Sequence, residues 1–174
     1  MANTMTLIAS NTVGSGGSSS VVFSSIPSTY TDLLIKFSVR TDRNDGILFD
    51  NFSIAFNSIS TGYSTKLLYG LSGSAASTNS GATSYTQYLY ASDTQSTANT
   101  FGNGEVYIPN YAGSNNKSMS IDSVSETNAA NGALAGLAAG LMSNTAAITS
   151  ITLAGVAQSF LQYSSFYLYG VKNA

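Results

Sequence analysis

Residues 31–41 read TDLLIKFSVRT, and their alternation decides the fold. In an extended chain Leu33, Ile35, Phe37 and Val39 share one face while Lys36, Ser38 and Arg40 share the other. A period of two is the strand's own period, and an apolar face set against a polar one is the mark of a half-buried strand. The pattern recurs along the chain. Phe52, Ile54 and Phe56 oppose Ser53, Ala55 and Asn57, and Ile151 and Leu153 repeat the spacing. Met119 and Ile121 follow it too, but Val124 falls out of phase, which predicts a bulge near Asp122–Ser123. In the last segment Phe166, Leu168 and Gly170 oppose Tyr167, Tyr169 and Val171, so both faces are apolar. Such a strand is covered on both sides, or one of its faces meets a neighbouring chain.

Strands are expected near 4–9, 19–26, 31–41, 46–57, 63–69, 83–91, 103–109, 116–125, 133–142, 147–154 and 160–171. Their spacing, punctuated by Ser, Gly and Asn clusters, is that of an all-β protein. We expect an antiparallel, jelly-roll-like β-sandwich forming a single domain over 1–174. Leu134, Leu137, Ala138, Leu141 and Met142 also fit a helical template. The same stretch alternates as a strand with Leu137, Ala139 and Leu141 on one face, and Gly132, Gly136 and Gly140 would each cost a helix about 1 kcal/mol. The strand is favoured. Residues 70–82, GLSGSAASTNSGA, read as a low-complexity loop. Asn44-Asp45-Gly46 is a turn signal, and Asn103-Gly104, Asn115-Asn116 and Asn131-Gly132 are hairpin candidates.

Composition narrows the function. The 174 residues include no His, Cys or Trp, and 8% are charged against 43% hydrophobic. His and Cys are the usual groups for proton transfer and nucleophilic attack near neutral pH, so an enzyme is not expected. Six Lys and Arg against eight Asp and Glu leave no basic stripe for nucleic acid. Residues 132–142 are too short and too Gly-rich to span a bilayer, so no membrane partner is expected. MANTMTLIAS has neither a basic start nor a long apolar run, which predicts no secretory leader. No phosphate loop, nucleophile elbow or metal-ligand pattern occurs, and no cofactor is expected.

Contact is the remaining job. Eleven Tyr and eight Phe supply flat apolar faces, with a hydroxyl on each Tyr. Tyr85, Tyr88 and Tyr90 cluster, as do Tyr163, Tyr167 and Tyr169. These six are candidates for contact with another chain or with a sugar ring. Tyr88 and Tyr90 are read on one strand face, and Tyr163, Tyr167 and Tyr169 on another. Asp42, Asp45 and Asp50 are weak candidates for calcium, since Gly46 falls one place short of the loop position an EF-hand needs.

Three stretches carry a resemblance: LIASNTVGSGGSSSVVFSSIPSTYTDLLIKFSVR (7–40), GNGEVYIPNYAGSNNKSMSIDSVSETN (102–128) and SNTAAITSITL (143–153). In strand-and-turn texture they resemble small, uncharacterised virion structural proteins of tailed bacteriophages. The resemblance implies a head decoration (cement) protein, made in the bacterial cytoplasm and released by lysis. Its partners would be the major capsid protein, other virion proteins and copies of itself, the two-sided last strand suggesting a homotrimer. A tail or fibre component attaching to host-surface glycans is the alternative. Without His, thermal stability is expected to be nearly flat from about pH 6 to 8; a midpoint that moves by many degrees across that window contradicts the expectation.

Overall fold

The computed structural model describes residues 4–128 and 132–172, and within them the regular elements are all strands. In chain order these are β1 (Met5–Thr12), β2 (Ser20–Phe23), β3 (Asp32–Val39), β4 (Asp50–Phe56), β5 (Tyr63–Leu71), β6 (Ser74–Thr83), β7 (Thr86–Ala91), β8 (Gly102–Ile108), β9 (Lys117–Ser125), β10 (Leu134–Met142), β11 (Ile151–Gly155) and β12 (Ser165–Val171). They form two antiparallel sheets of unequal width, one ordered β1-β12-β3-β8-β9-β10-β5-β6 and the other β2-β11-β4-β7. Hairpins join β5–β6, β8–β9 and β9–β10; every other connection crosses from one sheet to the other. The result is the jelly-roll-like sandwich that the alternation predicts.

The core lies between the sheets and is a single apolar cluster. Phe52 of β4 stands at its centre with no exposed surface. Its ring meets Phe37 of β3 at 5.0 Å and 85°, Phe160 at 5.5 Å and 88°, and Phe166 of β12 at 6.1 Å and 84°. Edge-on contacts of this kind add about 0.5–1.5 kcal/mol per pair beyond the burial of the rings.

β10 is a strand, and its small residues have a reason. A Cβ on Gly136 would stand 2.7 Å from the Tyr90 ring, and one on Gly140 2.8 Å from Met119 Cγ. The glycines therefore admit larger groups from across the core and from the neighbouring strand. Leu137, Ala139 and Leu141 share one face, as the alternation predicts, and the structure turns that face to solvent.

Three expectations are corrected. Residues 74–82, expected within a low-complexity loop, belong to β6. Ser72 and Gly73 both take positive φ (49° and 85°), the two-residue turn that matches the twist of paired strands, and so close a hairpin. The bulge expected near Asp122–Ser123 is absent: β9 pairs regularly with both neighbours and Val124 simply faces outward beside Asp122. Asn103-Gly104 is not a turn but part of β8. Glycine is needed there for close packing, since a Cβ at Gly104 would lie 2.2 Å from the Asp122 carbonyl oxygen.

Buried polar groups close the ends of the sandwich. Lys117 is fully buried and donates to the carbonyls of Gly113 (2.7 Å), Thr145 (3.3 Å) and Asn115, holding the β8–β9 turn. Asp50, 3% exposed, accepts from Asn51 N at 2.8 Å and from Arg43 Nη1 at 3.4 Å through Oδ1. The Thr41 hydroxyl lies against the Asp50 carboxyl and favours its charged form, while Asp93 Oδ2 is buried without a hydrogen-bond partner among the described residues. Burial raises the Asp50 pKa above the ordinary carboxylate value, against the weaker pull of its hydrogen bonds and of Arg43.

Truncating Phe52 removes the ring that joins the sheets, so Phe52→Ala is expected to cost about 3–5 kcal/mol in urea unfolding, while Leu137→Ala on the exposed face stays within about 0.5 kcal/mol. A carboxyl whose folded pKa is raised binds its proton more tightly when folded. Its stabilising effect is therefore fully present below the unfolded pKa and is lost as pH rises through the folded one. Asp50→Asn is expected to raise the thermal midpoint at pH 7, with the gain shrinking toward pH 4; a fall at pH 7 contradicts this reading of the buried carboxyl.

Candidate functional site

The side chains of the eight-stranded sheet that do not enter the core line its outer face. Strand register sets them in rows. One row crosses every strand: Ser10, Tyr167, Lys36, Glu105, Asp122, Leu137, Leu68 and Ser77, from β1 to β6. The centre of that row is charged. Lys36 Nζ donates to Glu105 Oε2 at 2.5 Å, and Glu105 faces Asp122 across the β8–β9 ladder. The bond to Glu105 raises the Lys36 pKa, while partial burial and the neighbouring Glu105 raise that of Asp122.

Both flanks of the charged centre are apolar. Toward β1 lie Met5, Leu7, Tyr107 and Tyr167; toward β6 lie Val124, Leu68, Leu137 and Leu141. Among the described residues, eight of the eleven large hydrophobics that are exposed thus share one sheet face, the others being Val22, Ile47 and Tyr163. Leu68 and Leu137, each 58% exposed, are directly paired across β5 and β10. They line a shallow groove of about 540 Å³ with Lys66, Ser77, Asn79 and Ala139. Apolar surface gathered on one face marks a contact surface, whereas scattered exposed hydrophobics are ordinary.

The six candidate tyrosines do not form one surface. Tyr90 is buried at 4% exposure against Gly136 and Phe49, and burial pushes its hydroxyl pKa upward. Tyr88 takes a φ of 77° beside a register shift in the β4–β7 pairing, which separates it from the buried face of Tyr90. It is half-buried against the core, and Tyr85, just before β7, is half-buried too. Tyr167 and Tyr169 do share the outer face of β12, between β1 and β3, while Phe166 and Leu168 face the core. Tyr163 is not on that strand. It sits in the preceding turn with a φ of 72° and is 68% exposed, so the face expected to unite all three does not exist.

Tyr163 borders a separate cleft of about 530 Å³, whose wall includes Asp42, Asn99, Phe101, Ser159 and Gln162. Arg40 lies at its base. The guanidinium is spent on carbonyls, donating to Thr97 at 2.8 Å, Thr100 at 2.9 Å and Ser96 at 3.0 Å. Burial lowers the Arg40 pKa, partly offset by Asp93.

The three aspartates weighed for calcium are taken up by hydrogen bonds and by Arg43, which Asp45 and Asp50 share. Asp42 Oδ1 accepts from Ser159 N at 2.8 Å. Asp45 takes Arg43 in a fork, with Nε at 3.0 Å from both oxygens and Nη2 at 2.8 Å from Oδ2. Asp50 is held inside by Asn51 and Arg43. Among the described residues no group of three or more acidic side chains is placed to hold a metal ion.

The leucines of β5 and β10 were not among the sequence candidates. The signal was present in the alternation of Leu137, Ala139 and Leu141, but each strand read singly does not show that Leu68 stands beside Leu137.

No known family model matches the chain, and no curated protein matches it. Among solved structures it is similar to the binding domain of botulinum neurotoxin DC in complex with SialylT, at 15% sequence identity and a TM-score of 0.27. That likeness covers 89% of this chain and 37% of the other, and a superposition so loose carries no argument about ligand or partner.

Proposed function

We propose that the protein is a structural component of a bacteriophage virion, a capsid decoration protein that works by burying surface against its neighbours. The observation that carries the reading is the outer face of the eight-stranded sheet, where eight large hydrophobic side chains stand exposed around a small charged centre. Burying the two apolar flanks of this face releases about 25 cal/mol per Å² of apolar surface, and exposed apolar surface gathered on one face is the mark of a contact surface. Charged residues are scarce throughout the chain, which suits a protein made for contact. The absence of His and Cys supports contact without turnover. The partners on this reading are copies of the chain in a homotrimer, the major capsid protein or other virion proteins, and the protein's place is the virion.

A second reading has its own observation. Tyr163 stands exposed beside Asp42, Asn99 and Gln162, an aromatic plate next to hydrogen-bonding groups, which is what a sugar ring requires. On this reading the protein is a tail or fibre component that touches host-surface glycans.

Leu68→Thr with Leu137→Thr, which keeps strand-favouring side chains and adds no charge beside Asp122, separates the two. Both residues are exposed, so the double variant is expected to fold with a thermal midpoint within a few degrees of the parent. On the decoration reading it no longer joins particles, while Tyr163→Ala joins them normally. Incorporation of the double variant at the parent's level, with host-cell attachment lost in Tyr163→Ala, would replace the first reading by the second.

A further inference from the structure

Four strands end the two sheets: β1 and β6 in the larger, β2 and β7 in the smaller. An edge strand presents unpaired backbone groups, and proteins usually blunt it by shortness, a bulge, a charge or a proline. Three of these edges are blunted. β2 has four residues. β7 has six and carries the register shift at Tyr88. β1 is broken by a register shift between Leu7 and Ala9.

β6 is different. It has ten residues, SAASTNSGAT, with no charge and no proline. Its register shift lies at the far end, opposite Tyr63–Thr65, so Ser74–Ser80 pairs regularly with Thr65–Leu71. Ser74–Asn79 are exposed, which means that neither face of this stretch is covered. The two-residue turn fixes which backbone groups are free. Leu71 and Ser74 flank that turn, so they exchange both their hydrogen bonds. Alternation along the ladder then turns the N–H and C=O of Ala75, Ser77 and Asn79 away from β5.

We infer that this edge is a docking site for β6 of a second copy of the chain, antiparallel about a two-fold axis through Ser77. In that register Ala75 faces Asn79 of the other copy, Ser77 faces its own equivalent, and Asn79 faces Ala75. Each pair exchanges two backbone hydrogen bonds, and the contact is self-complementary, as a two-fold contact must be. The side chains are small enough for the backbones to reach ladder spacing. Charge also permits the pairing: Lys66 lies beside Asn79 and would stand across from Gly70 of the other copy. On the outer face Leu137 and Leu68 lie next inward from Ser77, so docking joins the apolar flanks of both copies into one band. The inference stands whether or not the outer face joins a virion.

The test is hydrogen exchange and sedimentation of the full chain. The amides of Ala75, Ser77 and Asn79, which the ladder turns away from β5, are expected to exchange slowly in the native protein. Ser77→Pro removes an outward-facing donor and leaves the β5–β6 ladder intact, since proline is tolerated at such an edge position. Ser77→Lys sets like charges against each other on the axis. In either variant the sedimented mass is expected to fall to half the parent's, with fast exchange at Ala75 and Asn79. Fast exchange at those amides in the parent, or an unchanged mass in the variants, overturns the inference.

Discussion

The structure depends on the ring of Phe52 wedged edge-on between Phe37 and Phe166, because that contact fixes which way every strand of the larger sheet faces. A strand has only two faces, and slipping by one residue exchanges them. With Phe37 turned inward, Lys36 must turn outward. The ladder carries that parity to Glu105, Asp122, Leu137, Leu68 and Ser77 in turn. The outer face, with its charged centre and apolar flanks, thus follows from how the core is packed.

Unequal sheet width adds a second consequence. Four strands do not cover eight, and β6 lies beyond the covered part of the larger sheet, exposed on both sides. The chain manages its few charges in keeping with this economy. Arg40 and Lys117 are buried, and among the described residues no carboxylate is in ion-pair contact with either; each spends its protons on backbone carbonyls that close turns. Buried hydrogen bonds from a charged donor are stronger than neutral ones, and here they organise loops that have no apolar core of their own.

Much of the fold could be read from the chain because a half-buried strand writes its period into the sequence. β3 and β4 announce their inward faces in that way, as do Met119 and Ile121 of β9 and Ile151 and Leu153 of β11. β6 could not be read, since a strand exposed on both faces has no apolar period and SAASTNSGAT looks like linker. Val124 was misread for a related reason: an apolar residue on an outer face mimics a bulge when the strand is read by itself. The tyrosines show the limit for the site. A residue at φ 77°, as Tyr88 is, does not keep the alternation on which a shared face depends, and a turn just before β12 removes Tyr163 from the row of Tyr167 and Tyr169. Pairing between strands, which places Leu68 beside Leu137, is not a property of either segment taken alone.

The account holds that the outer face of the eight-stranded sheet is covered when the protein is at work. Hydroxyl-radical footprinting of the chain, free and within assembled particles, measures that directly. The side chains of Tyr107, Leu68 and Leu137 should lose most of their reactivity on assembly, while Val22, 57% exposed on the smaller sheet, keeps its own. Equal reactivity of the three in both states, or protection of Val22 in their place, would contradict it.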